Sequence, residues 1–174
     1  AVQLLFHPFM FTNPLLQPGQ ENVVNAWGVT NTFPKGVPGS FPVHTPDKIV
    51  VKDIEDWKDY VHAPSLKFTQ DQWDMVKAQY DAVDGEQAFK AAFVAPGLFE
   101  QTHHLCEISN ALVYYITNPD EMHDLIKYLT EWELELAEGI CSNLHPDALF
   151  HHDDWGGLDS TFMSPAMFDE FLLE

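Results

Sequence analysis

The stretch His151-His152-Asp153-Asp154-Trp155-Gly156 sets two imidazoles and two carboxylates side by side, groups that hold and move protons near neutral pH. It follows Ala148-Leu149-Phe150, an apolar run too short for a buried helix, which reads as a core strand. Parallel α/β proteins bind ligands at the carboxyl ends of their strands, so chemistry is expected at this exit. A solvated turn is the plain alternative. The neighbouring Trp155 speaks against it, because such a turn has no use for an indole.

Two further segments carry groups of interest. After an apolar run at 88–95, Pro96-Gly97 leads into Leu98-Phe99-Glu100-Gln101-Thr102-His103-His104. Glu100, flanked by Leu98 and Phe99, is a candidate general acid, since an apolar setting raises a carboxyl pKa. The alternative is an acid placed at a helix start for its dipole. His104-Leu105-Cys106 has the spacing of a partial zinc site, but two ligands do not make one. The long loop after the first strand supplies Asn25, Trp27 and Asn31. The candidate catalytic residues are Glu100, Asp153 and Asp154. The candidate substrate-binding residues are Asn25, Trp27, His103, His104, His152 and Trp155, and no metal ligand set is assigned. There is no glycine-rich phosphate loop, so nucleotide binding is not expected.

Strands are expected near 2–7, 88–95 and 147–151. Residues 7–47, rich in Pro, Gly, Asn and Phe, read as a long packed loop, and 41–45 with 48–52 read as a hairpin around Pro46-Asp47. Asp53 and Thr69 each open a helix. Asn118-Pro119-Asp120-Glu121 opens a longer one, with Met122, Leu125, Ile126, Leu129, Leu136 and Ile140 as its core stripe and Trp132 and Cys141 as packing residues. Ser164-Pro165 opens a last helix that runs to Glu174. Short apolar strands alternating with helices predict a parallel sheet with βα connections. The three functional segments meet on one face if that sheet closes into a barrel.

Composition narrows the function. The chain has 174 residues and 45% apolar side chains, enough for one domain with a sizeable core. It carries 27 acidic residues against eight lysines, with no arginine, for a net charge of −19. That balance speaks against nucleic acid, anionic membranes and polycarboxylate substrates. No apolar run is long enough to span a bilayer. Two cysteines, Cys106 and Cys141, form no disulfide framework, so a cytoplasmic setting is the default expectation. The chain reads as a single partial domain cut at both ends.

Several motifs resemble the uroporphyrinogen decarboxylase superfamily, and in particular its corrinoid-linked methyltransferase branch. They are Trp27-Gly28 with Pro34-Lys35-Gly36-Val37-Pro38-Gly39, the Pro96-Gly97-Leu98-Phe99-Glu100 turn, and His152-Asp153-Asp154-Trp155-Gly156 with Ser164-Pro165 and Phe168. The decarboxylase branch fits less well. Its arginine-bearing segment has no counterpart here, nor does its early Phe-Ser-Asp motif around Val24-Asn25-Ala26-Trp27. Its turn tyrosine falls near His103, the Gly-Gly after it is missing, and its Phe-Asp-Ser becomes His152-Asp153-Asp154. The resemblance implies a (β/α)8 TIM barrel, of which this chain would be the N-terminal and central portion. It also implies transfer of a methyl group between a small methylated compound, such as a phenyl methyl ether in anaerobes, and a corrinoid on a partner protein. Zinc, where relatives use it, would come from later strands. The alternatives are a uroporphyrinogen decarboxylase and a non-catalytic piece that only binds or associates, including with itself as a homo-oligomer.

Overall fold

The computed structural model describes residues 1–13 and 15–173, so Glu174, the expected end of the last helix, lies outside the described residues. The chain opens with β1 (Val2–Leu5) and a short α1 (Phe9–Thr12). Three short strands follow, β2 (Gln20–Val24), β3 (Thr30–Phe33) and β4 (Phe41–Pro42), then a 3-10 turn (Ile54–Asp56), α2 (Trp57–Tyr60) and α3 (Gln70–Asp81). The second half holds β5 (Phe89–Val94), α4 (Leu98–Cys106), α5 (Ile108–Thr117), α6 (Pro119–Leu144), β6 (Ala148–His151) and α7 (Pro165–Phe171).

The three expected strands are present and parallel, in the order β1-β5-β6, with Leu4, Ala91 and Ala148 in one register row and Leu5, Ala92 and Leu149 in the next. The barrel is not. The strands divide into this three-stranded sheet and a separate three-stranded antiparallel sheet, β2-β3-β4. A barrel needs every strand flanked on both sides, whereas β1 and β6 are sheet edges among the described residues. The reason lies in 7–47. This stretch makes no βα unit: its short polar strands fold onto each other around the Asn25–Val29 turn, with Asn25 N–H bonding the Val29 carbonyl at 2.9 Å. The (β/α)8 expectation is therefore corrected to an α/β fold with two small sheets.

The hairpin at 41–52 is corrected as well. Phe41 and Pro42 pair with β3, and 46–48 form a turn closed by Lys48 N–H on the Thr45 carbonyl. Val51 is fully buried and donates its amide to Leu105 of α4 instead of returning along 41–45. Burial of an apolar side chain at the helical layer outweighs a marginal two-stranded ribbon.

Local signals set most helix starts. Thr69 and Gln72 form a capping box at α3, Asp53 accepts the Glu55 amide, and Ser164 accepts the Met167 amide of α7. Helix α6 buries the whole expected stripe, ending with Leu144. Its first half packs with α4, α5, α7 and the 51–61 segment, and its second half packs with α3 and one face of the parallel sheet. Trp132 joins the two clusters, edge-on to Trp27 and to Phe9 with ring centroids 5.0 Å apart in both pairs, and its indole N–H bonds the Pro64 carbonyl. Cys141, expected to pack, is exposed.

Strand alternation gives the parallel sheet two unlike faces. Leu5, Ala92 and Val94 face α6 and are buried. Val2, Leu4, Phe6, Phe89 and Phe150 lie on the opposite face and are exposed, with Phe93 between Phe6, which it meets edge-on, and Phe150, on which it stacks. Among the described residues no helix is long and apolar enough to cross a membrane.

Candidate functional site

The end of β6 and the start of α4 are locked together by one carboxylate. Asp153 accepts hydrogen bonds from the amides of Phe99 at 3.1 Å and Glu100 at 2.7 Å, two of the donors a helix N-terminus leaves without intrahelical partners. Gly97, the residue before α4, permits this approach: a Cβ there would lie 2.4 Å from Asp153 Cβ. Asp153 thus caps a helix distant in sequence and fixes the position of Glu100.

The backbone of His152 continues the sheet by bonding the Val94 carbonyl, so His151 and His152 project to opposite sides. Each imidazole meets a carboxylate. His152 Nδ1 shares a 3.0 Å hydrogen bond with Glu100 Oε2. His151 Nε2 shares one of 3.1 Å with Glu133 Oε2 of α6. On the other side of Glu100, His104 Nε2 lies 3.8 Å from Oε1. Phe93 packs beside His152, which joins the pair to the exposed aromatic row.

Burial raises the Glu100 pKa; the bond to His152 opposes that rise, and the charges of Asp153 and Asp154 add to it. Burial likewise pushes His104 down to about 3, helped by His103 and His44, and lowers His103, with His44 contributing. These two imidazoles are held neutral. A carboxyl whose pKa is raised by burial holds its proton more readily than an exposed one, and beside an imidazole it is placed to hand that proton to a substrate atom.

The remaining expected residues divide. Asp154 is exposed and acts on Glu100 through its charge. Trp155 is half exposed and packs edge-on to Phe168 of α7. Asn25 spends its side-chain oxygen on the amides of Trp27 and Val29, holding its own turn. Trp27 is buried and borders a small internal cavity with Gln101, Trp132 and Glu133, away from the Glu100 carboxylate. Asn31 is buried and bonds the Val29 carbonyl. The structure therefore brings together Glu100, His104, His152 and Asp153, with Asp154 nearby, and leaves Asn25 and Trp27 outside.

Sequence reasoning missed Glu133 and His44. Glu133 had a readable signal, since it falls four residues after Leu129 and three before Leu136, on the apolar stripe itself. His44 had none; it reaches α4 from a loop to bond the His104 carbonyl.

The donor set does not suit zinc. His104 and Cys106 stand two apart on α4 and so leave different sides of the helix, and burial drives the Cys106 thiol up to about 12. Among the described residues no three His, Cys, Asp or Glu side chains converge as a metal site. In comparisons with known proteins the chain matches no protein family, no curated protein and no solved structure.

Proposed function

We propose that this chain serves in methyl transfer from a small methylated compound, such as a phenyl methyl ether, to a corrinoid held by a partner protein, with Glu100 as proton donor. The observation that carries this reading is the Glu100–His152 pair, a carboxyl raised in pKa by burial and hydrogen-bonded to an imidazole beside an uncharged aromatic surface. An ether methyl is a poor electrophile unless its oxygen is polarised. As the methyl–oxygen bond breaks, its electron pair stays on oxygen, and the Glu100 proton goes there to release a neutral alcohol. His152, whose side chain is 41% exposed, then takes a proton from solvent water and passes one to the Glu100 carboxylate, restoring the acid. Asp153 keeps Glu100 in place by holding the start of α4.

A corrinoid supplies the cobalt that accepts the methyl. The exposed Phe6 and Phe150, in a row with Phe93, are the residues that would lie against so large an apolar ring system. A porphyrinogen carrying many carboxylates is a poorer fit, because Asp153 and Asp154 flank the site and no arginine exists to clamp it. The exposed apolar face also favours a second reading, in which the chain acts only by association.

The test is methyl transfer from a phenyl methyl ether to a reduced corrinoid protein. Glu100→Gln is expected to slow it by about 10²–10⁴-fold, the usual worth of one proton donor. Unchanged turnover in that variant removes Glu100 from the mechanism, and release of CO₂ from a porphyrinogen overturns the reading.

A further inference from the structure

Two helices each set one polar side chain into an apolar stripe, and the two meet at one cavity. On α4, Gln101 stands among the buried Phe99, Thr102 and Leu105 and is itself only 4% exposed. On α6, Glu133 falls between the buried Leu129 and Leu136. Both line a small cavity whose other walls include Phe9, Trp27, Leu129 and Trp132.

The two polar side chains do not bond each other. Gln101 Nε2 is buried with no acceptor among the described residues. Glu133 receives His151 on Oε2, and Oε1 takes no hydrogen bond from the described residues. The Trp132 indole N–H is already spent on the Pro64 carbonyl, so it supplies neither. A buried donor without an acceptor is costly, and native folds rarely leave one so.

Size and polarity together select the occupant. The cavity is about 10 Å³, the room that one water takes and too little for a larger solute. The occupant must accept from Gln101 and donate to Glu133. An ammonium ion has a similar size but no lone pair to offer the Gln101 N–H. Water does both.

We infer that one internal water is bound here, accepting from Gln101 and donating to the Glu133 carboxyl. It ties α4 to α6 one residue after Glu100 and solvates the oxygen that His151 leaves free, which accounts for a carboxylate in the α6 stripe. The site is independent of the methyl-transfer reading, and its test does not use that activity.

The experiment is water-selective NOE and ROE NMR on the whole chain, read at the Gln101 side-chain amide and the Leu129 methyls. Water peaks of opposite sign in the two spectra are expected at both reporters, the signature of a water that tumbles with the protein. In Gln101→Met, which keeps the shape and removes the donor, the Leu129 peak should be lost. In Glu133→Gln it should stay, because the amide still accepts. That variant also removes the carboxyl proton that could imitate a water signal by exchange. The peaks should persist in Glu100→Gln. No water peak at either reporter, peaks of equal sign, a Leu129 peak retained in Gln101→Met, or one lost in Glu133→Gln would overturn the assignment. If Gln101→Met fails to fold, the native and Glu133→Gln spectra still decide it.

Discussion

Gly97 and Asp153, 56 positions apart in sequence, occupy nearly the same volume: a methyl group on Gly97 would sit 2.4 Å from Asp153 Cβ and 2.7 Å from the His151 ring. The contact exists because the Asp153 carboxylate must come close enough to bond two amides at the start of α4. Glycine is required at 97 by space, its backbone being extended and open to any residue. Gly97→Ala should therefore destabilise the fold by about 1–3 kcal/mol through overpacking. Asp153→Ala, which strips the cap, should cost about 1–2 kcal/mol, with Asp153→Asn recovering part of that loss. Urea unfolding of the three variants checks both. A Gly97→Ala protein as stable as the native one would mean the junction is looser than described.

Stability should fall as pH drops from 7 toward 4. His7 and His104 are held neutral in the fold, burial lowering them from 6.5 to about 4 and about 3, while in the unfolded chain both take a proton near 6.5. The unfolded state then binds more protons below 6.5, and each histidine removes up to about 1.4 kcal/mol per pH unit until its folded value is reached. Glu100 and Glu133 work the other way. Burial raises both, so they cost stability at neutral pH and return it as they protonate on the way down. Denaturant midpoints between pH 7.5 and 4.5 measure the balance, which should favour the histidines, and His7→Gln should flatten the slope.

The uncovered face of the parallel sheet predicts association. Parallel sheets are normally covered on both sides, yet Val2, Leu4, Phe6, Phe89 and Phe150 are exposed together. Light scattering on the isolated chain should show mass rising with concentration. Phe150→Lys, at a position 43% exposed, should suppress that rise without unfolding the protein. A strictly monomeric native chain would contradict this.

Much of this was legible in the sequence where one local signal decided the outcome. The α6 stripe, the Thr69 and Ser164 caps and the three short apolar runs each follow from spacing that tertiary structure did not override. The convergence of Glu100 with His152 and Asp153 was legible too, because all three stand at the carboxyl ends of adjacent parallel strands. The barrel was not. Strand–helix alternation predicts a parallel sheet but says nothing about closure, and the weak polar strands at 20–42 carry too little apolar pattern to reveal an antiparallel sheet. The role of Asn25 was hidden for another reason: an asparagine that holds its own turn and one that binds a substrate read alike in sequence.

The central claim is that Glu100 carries an available proton above the ordinary carboxylate range. Carbon-13 NMR titration of its side-chain carboxyl reads this directly in the native chain and in His152→Asn. Burial should place the native midpoint above 4.5, and loss of the imidazole bond, which opposes that rise, should move it higher still. A native midpoint at or below 4.5, or a downward shift in His152→Asn, would contradict the account.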